Sequence, residues 1–206
     1  PTLAEFQRNP SVEHVDVPPF DRGLAAAHIA NLTGAQPASA LVDAVMQRTE
    51  GNPYFIEELA AADAFAGGTL PASLRELLLV RADVLSADAR RTLRILALAD
   101  SQVDDRSLAL VAQQPLDDVR EHVREAIDRR LLVPTATGTR FAHALLREVL
   151  QDDLLVGERA EYHAALASML AAEVDRFASN RAGSLALLAH HRAGAGDMAG
   201  ALQAWS

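Results

Sequence analysis

Residues Arg140–Leu155, RFAHALLREVLQDDLL, read as the end of a β-hairpin running directly into an amphipathic helix. Few chain paths accommodate that switch of period. Phe141, Leu145, Leu146, Val149 and Leu150 recur at helical spacing and make one apolar face. His143, Arg147 and Gln151 are four apart and form a stripe on another side. A histidine in the first turn of a helix stands close to backbone N–H groups with no intrahelical partner, where an anion is favoured.

The elements before this stretch supply what it packs against. Val12–Val17 alternates as a half-buried strand does. One such strand is not stable alone, which places its sheet partners upstream. Asp21–Thr33 is predicted as a helix, with Asp21 as N-cap and Gly34 as stop. Pro37–Thr49 is a second, buried through Leu41, Val42 and Val45. In Thr49–Leu59, TEGNPYFIEEL, Asn52 suits an N-cap and Pro53 the first helical position. That helix is expected to run to about Ala66, where Gly67-Gly68 closes it. Ser73–Leu85 is predicted to face inward through Leu74, Leu77, Leu78 and Val84. Ser86 caps Ala87–Ala99, whose second half is apolar enough to be buried all round. Val103 is read as a short strand residue. Asp105–Ala112 and Pro115–Arg130 are helices, the latter facing in through Leu116, Val119, Val123 and Ile127. Leu131–Pro134 and Thr139–Phe141 then form the hairpin around Thr135–Gly138. Helix, short strand, helix, helix, hairpin is the order of a winged helix. Glu158–Val174 and Gly183–Arg192 are further helices. A turn at Gly196-Asp197 starts another, as in the first unit of a helical repeat.

Composition excludes several chemistries. Half the residues are hydrophobic and only 4% aromatic. Apolar mass held mainly in Ala, Leu and Val favours packed helices over sheets. There is no cysteine, hence no disulfide, thiolate metal site or cysteine nucleophile. All 19 basic residues are arginine. A P-loop needs a lysine at the phosphates, so this chain has none, and it has no Schiff-base lysine either. The net charge of −9 opposes non-specific attraction to nucleic acid or acidic membranes. No apolar run is long enough to span a bilayer and no signal peptide opens the chain. A soluble, cytoplasmic protein is expected. The irregular start at Pro1 and the stop after Trp205 within a helix lead us to read the chain as a fragment of a longer protein.

Four segments together resemble the STAND class of signal-transduction ATPases, which includes the large LuxR-type transcriptional regulators. TEGNPYFIEEL resembles the GxP-containing helix of the family's helical lid. LPASLRELLLVRADVLSADARRTLRILALA resembles the segment that joins lid to winged helix. RFAHALLREVL is similar to the winged-helix histidine segment, related to the MHD motif of immune receptors, although Ala142 and Ala144 stand where that motif has Met and Asp. LAHHRAGAGDMAGALQAW resembles the entry to a tetratricopeptide-like array. The resemblance implies a mainly α protein in four parts. Residues 1–20 would be the remnant of the last strand of a missing nucleotide-binding core. Residues 21–68 would be the helical lid subdomain. Residues 69–156 would be a winged-helix domain with one small β-hairpin, and 157–206 the start of the repeats.

The resemblance also implies a role. The chain would be a regulatory, non-catalytic part of a nucleotide-switched ATPase, coupling the ADP or ATP state of an upstream P-loop core to conformational change and assembly. Pro53 would lie against the nucleotide base, with Asn52 beside it, and His143 would reach the diphosphate of ADP. Nucleotide would be a cofactor of the full-length parent, not of this chain alone. Partners would be the upstream core, a homo-oligomer on activation, and DNA only through a C-terminal helix-turn-helix; no membrane is implied.

Each of these residues has a plainer reading. Pro53 is also what a first turn accommodates best, Asn52 is a good cap, and His143 can hydrogen-bond locally at a helix start. Two other functions compete: a stand-alone helical interaction module, and a winged helix that reads DNA. In the latter, Pro115–Arg130 would enter the major groove, but its acids balance its arginines. His190-His191 suggests a metal, yet adjacent helical positions diverge by about 100°. One is expected to pack and one to face solvent, with no metal. Glu57-Glu58 and Asp152-Asp153 are expected to be solvated helix faces.

Overall fold

The computed structural model describes residues 17–65, 69–99, 103–135, 138–173 and 181–205. The expected strand Val12–Val17 lies outside these except for Val17, and so do Gly67-Gly68 and the tip of the hairpin. Among the described residues the protein is helical, with one two-stranded antiparallel hairpin. None of these helices is long and apolar enough to cross a membrane. The chain divides into two compact units, Pro1–Gly68 and Thr69–Ser206.

The first unit holds α1 (Arg22–Thr33), α2 (Ser39–Thr49) and α3 (Pro53–Ala61). Asp21 caps α1 by accepting from the Leu24 N–H at 2.8 Å, and Gly34 ends it at φ 71°. Ala25, Ile29, Val42, Val45, Phe55, Ile56 and Leu59 are buried and form the core of the bundle. Helix α2 begins at Ser39, two residues later than expected. Helix α3 ends at Ala61 rather than near Ala66. Asp63 turns left-handed at φ 52°, the Ala64 N–H reaches back to the Leu59 carbonyl at 2.9 Å, and Arg48 donates to the Ala64 carbonyl at 2.6 Å. The bond to Leu59 satisfies one of the last helical carbonyls and closes the helix without a glycine, and Arg48 holds the chain just beyond it.

The second unit holds α4 (Ala72–Asp83), α5 (Ala87–Leu98), α6 (Asp105–Ala112), α7 (Leu116–Asp128), β1 (Leu132–Thr135), β2 (Gly138–Phe141), α8 (Ala144–Asp152), α9 (Val156–Glu173), α10 (Arg181–Gly194) and α11 (Met198–Trp205). The hairpin pairs Leu132 with Phe141 and Thr135 with Gly138. Helix α5 is its centre: Leu93, Ile95, Leu96, Ala97 and Leu98 are all buried, and α6, α7, α8 and α9 pack on it. Helix α4 faces in through Leu74, Leu78 and Ala82, one turn apart. Leu77 and Val84 are exposed, against expectation, because they fall on the neighbouring flank of that stripe. Leu116 and Ile127 are only half-buried on α7, where Ala126 takes the buried place. Val103 is buried but belongs to no strand; its carbonyl oxygen lies 3.7 Å from where a Cβ on Gly138 would stand. Helices α9, α10 and α11 pack in succession around Ala167, Leu188, Ala189 and Ala204.

Among the described glycines of the first unit, Gly51 has the least room for a side chain. Its φ is 78°, its carbonyl accepts from the Phe20 N–H at 2.8 Å, and a Cβ there would stand 2.2 Å from the Phe20 carbonyl oxygen. Gly51→Ala is therefore expected to destabilise the chain by at least the roughly 1–3 kcal/mol of a strained backbone residue. Gly34→Ala has a similar φ but open space, and should cost less. Urea denaturation of the two variants compares them directly.

Glu125 of α7 clasps the start of α5. Its carboxylate accepts from the Ser86 N–H at 3.0 Å and from the Ser86 hydroxyl at 2.8 Å, while Ser86 itself caps α5. The Ser86 backbone and hydroxyl bonds, more than anything else, hold the Glu125 carboxyl below its ordinary value of 4.5. A depressed folded value means the unfolded chain binds more protons there. The stabilisation is therefore complete above about pH 4.5 and is lost as pH falls through the folded value. Acid unfolding of wild type and Glu125→Gln should converge at low pH and separate near neutrality; curves that stay parallel would count against the clasp.

Candidate functional site

Asn52 and Pro53 lie in the first unit. The turn Glu50–Gly51 is left-handed at both residues and delivers the chain to α3. Asn52 is the N-cap, its Oδ1 accepting from the Tyr54 N–H at 3.1 Å, and Pro53 opens the helix. Both are half-buried. The capping that the sequence suggested is what the geometry contains. Glu57, one turn on, is exposed as expected, with an oxygen 3.2 Å from His28 Nε2.

His143 lies in the second unit, where β2 hands over to α8. It is the N-cap residue, with extended backbone at φ −140° and ψ 130°, and its side chain makes no capping bond. Its companions in the stripe have structural work. A helix leaves its last four carbonyls without intrahelical partners. Arg147 Nε donates to the Ala97 carbonyl, near the end of α5, at 2.8 Å, and the Gln151 amide donates to the same oxygen. Arg159 of α9 in turn donates to the Gln151 carbonyl at the end of α8.

Asp153, the residue closing α8, is not a solvated acid. Its side chain is 26% exposed and takes Arg75 of α4 at 3.0 Å and Arg94 of α5 at 2.8 Å, one on each oxygen. It ties the end of α8 to the consecutive helices α4 and α5, 78 and 59 residues earlier in the chain. Asp152 is exposed, 4.0 Å from Arg159.

Beside these clamps is a cavity of about 470 Å³ lined by Leu98, Ala144, Arg147, Glu148, Gln151, Arg159, His163 and His190. His190 is exposed and His191 buried, the division expected of adjacent helical positions. The residue that sequence reasoning missed is His163 of α9. Its Nδ1 lies 2.8 Å from the His191 Nδ1, so one nitrogen carries the proton and the other accepts it. The His163 and His190 ring centroids are 5.6 Å apart, and those of His163 and His191 are 5.0 Å apart. One potential donor atom from each of the three rings lies within 4.8 Å of the others. Burial above all, then His190 and Arg159, pushes the His163 imidazole below its ordinary value. The one available signal was its place in Tyr162–Leu166–Met169–Leu170, where His163 shares the buried side with Leu166 and Ala167.

No protein-family model, curated protein or solved structure matches the chain.

The Asp153 hub makes a direct prediction. Asp153→Ala removes two hydrogen bonds between charged groups that are only partly solvated. It should lower the unfolding free energy by about 1–3 kcal/mol, between the values for an exposed pair and a desolvated one. Chemical denaturation followed by far-UV circular dichroism measures it, and a loss below about 0.5 kcal/mol would rank the hub with ordinary surface pairs.

Proposed function

We propose that this chain is the regulatory part of a nucleotide-switched STAND-class ATPase of the large LuxR-type transcriptional regulator kind, acting in the cytoplasm. The observation that carries the reading is the place of His143. It stands where a hairpin turns into a helix, at the end of a helix, helix, helix, hairpin order, next to the N–H groups of the first turn of α8. An imidazole and a helix N-terminus together suit a phosphate. His143 would hold the diphosphate of ADP in a closed form and release it in an open one. Asn52 and Pro53 would meet the base from the lid. The fit at the phosphate rests on His143 and the helix start alone, since Arg147 is engaged by Ala97. This chain would do no chemistry itself; the phosphate loop would come from an upstream core of the same protein.

The work of such a chain is conformational. A contact made in one state and lost in the other shifts the balance between them. Exchange of ADP for ATP would free the second unit from the core and favour homo-oligomer assembly. The groove-reading alternative fares poorly on α7. Arg120 is drawn to Asp117 at 3.3 Å and Asp105 at 3.6 Å, while Asp118 and Glu121 are exposed. A helical interaction module is the better second reading, because Met198, Leu202 and Trp205 are exposed at helical spacing along α11.

The test uses the full-length protein. A hydrogen bond to a charged group contributes about 1.5–3 kcal/mol. His143→Ala should weaken ADP binding by about one to two powers of ten and raise basal activity without effector. Arg147→Ala should change ADP affinity less. The fold should survive, because Leu145, Leu146, Val149 and Leu150 remain in place. Unchanged ADP affinity together with unchanged basal activity would reduce His143 to a helix-start residue.

A further inference from the structure

We propose that His163, His190 and His191 form a binding site for one borderline-soft divalent transition-metal ion such as Zn²⁺, with an open coordination position towards the adjoining cavity. The inference is independent of the nucleotide-switch reading.

The donor set has the right chemistry. Imidazole nitrogen suits Zn²⁺, Ni²⁺ and Cu²⁺, and three protein ligands with a fourth position open is a common Zn²⁺ arrangement. The geometry is close. Zn–N bonds of about 2.0–2.1 Å in a tetrahedron place neighbouring nitrogens about 3.3 Å apart. The His163 and His191 Nδ1 atoms are 2.8 Å apart. Replacing their shared proton by an ion therefore needs an opening of about half an ångström. His190 already has a potential donor within 4.8 Å of both partners. His190 and His191 leave α10 about 100° apart, but their side chains reach far enough that one ring nitrogen of each lies within 4.8 Å of the other and of His163 on α9.

The local backbone accommodates His163. A Cβ on Gly194 would stand 2.6–2.8 Å from atoms of the His163 ring, so the absence of a side chain there lets the ring lie against α10. Arg159 opposes a dication, and Glu148, lining the same cavity, supplies the opposite charge. A hydrogen-bonded histidine pair used for packing alone would need only His163 and His191. It gives His190 no task, and that difference makes the two readings separable.

The 206-residue chain, stripped with chelator, is titrated with Zn²⁺ by calorimetry and with Co²⁺ by visible absorption. We expect one ion per chain and the intense visible bands of four- or five-coordinate Co²⁺. His190 is exposed, so His190→Ala should keep the helical circular dichroism of wild type. It should lose at least the roughly 10–100-fold in affinity that even an outer-shell change costs. Gly194→Ala, by displacing His163, should weaken binding as well, whereas His122→Ala, elsewhere on α7, should bind as wild type does. Failure to saturate at one ion per chain would overturn the site. So would wild-type affinity in folded His190→Ala, or a Co²⁺ spectrum that stays weak and octahedral.

Discussion

The carbonyl groups at helix ends impose the constraint on which the second unit depends. Each helix leaves its last carbonyls without an internal partner, and in a chain of short helices these ends are numerous and often shielded from water. The end of α5 is buried at Ala97, Leu98 and Ala99. Its Ala97 carbonyl receives both Arg147 and Gln151, and this puts α8 at a fixed rotation against α5. Arg159 repeats the device one helix later, at the end of α8. The cavity and the histidine cluster lie beside these two closures because Arg147, Gln151 and Arg159 line its wall.

Arginine fits this task for a physical reason. Its planar guanidinium offers several donors in a fixed fork, is always charged and is weakly hydrated. The same side chain closes a backbone carbonyl at Ala64 through Arg48 and at Gly200 through Arg192. Asp153 uses the complementary arrangement, one carboxylate between two guanidinium groups. The complete absence of lysine, which excludes a P-loop, thus also leaves a chain whose cationic contacts are directional.

The buried histidines His163 and His191 meet nitrogen to nitrogen, with a third ring beside them. Burial above all, then His190 and Arg159, pushes the His163 imidazole below its ordinary value. His143 lies instead at the N-cap of α8, beside the amide groups of a helix start.

What the sequence determined by itself was local. Caps at Asp21, Asn52, Ser86 and the left-handed stop at Gly34 were legible because a cap and the N–H it binds are two or three residues apart. The hairpin and the apolar faces of α5 and α8 were legible from period alone. The end of α3 was misread because Asp63 adopts a conformation usually given to glycine, held there by Arg48 from another helix. Leu77 and Val84 were misplaced because a stripe of leucines and valines is wider than the face that finds a neighbour. Tertiary structure alone decided the rest. Arg147 meets Ala97 across 50 residues, Arg94 meets Asp153 across 59, Arg75 meets it across 78, and His163 meets His191 across 28. No periodicity encodes such pairs, because a polar side chain on a helix shows its use only when the packing of its apolar face has set which helix end or ring stands opposite.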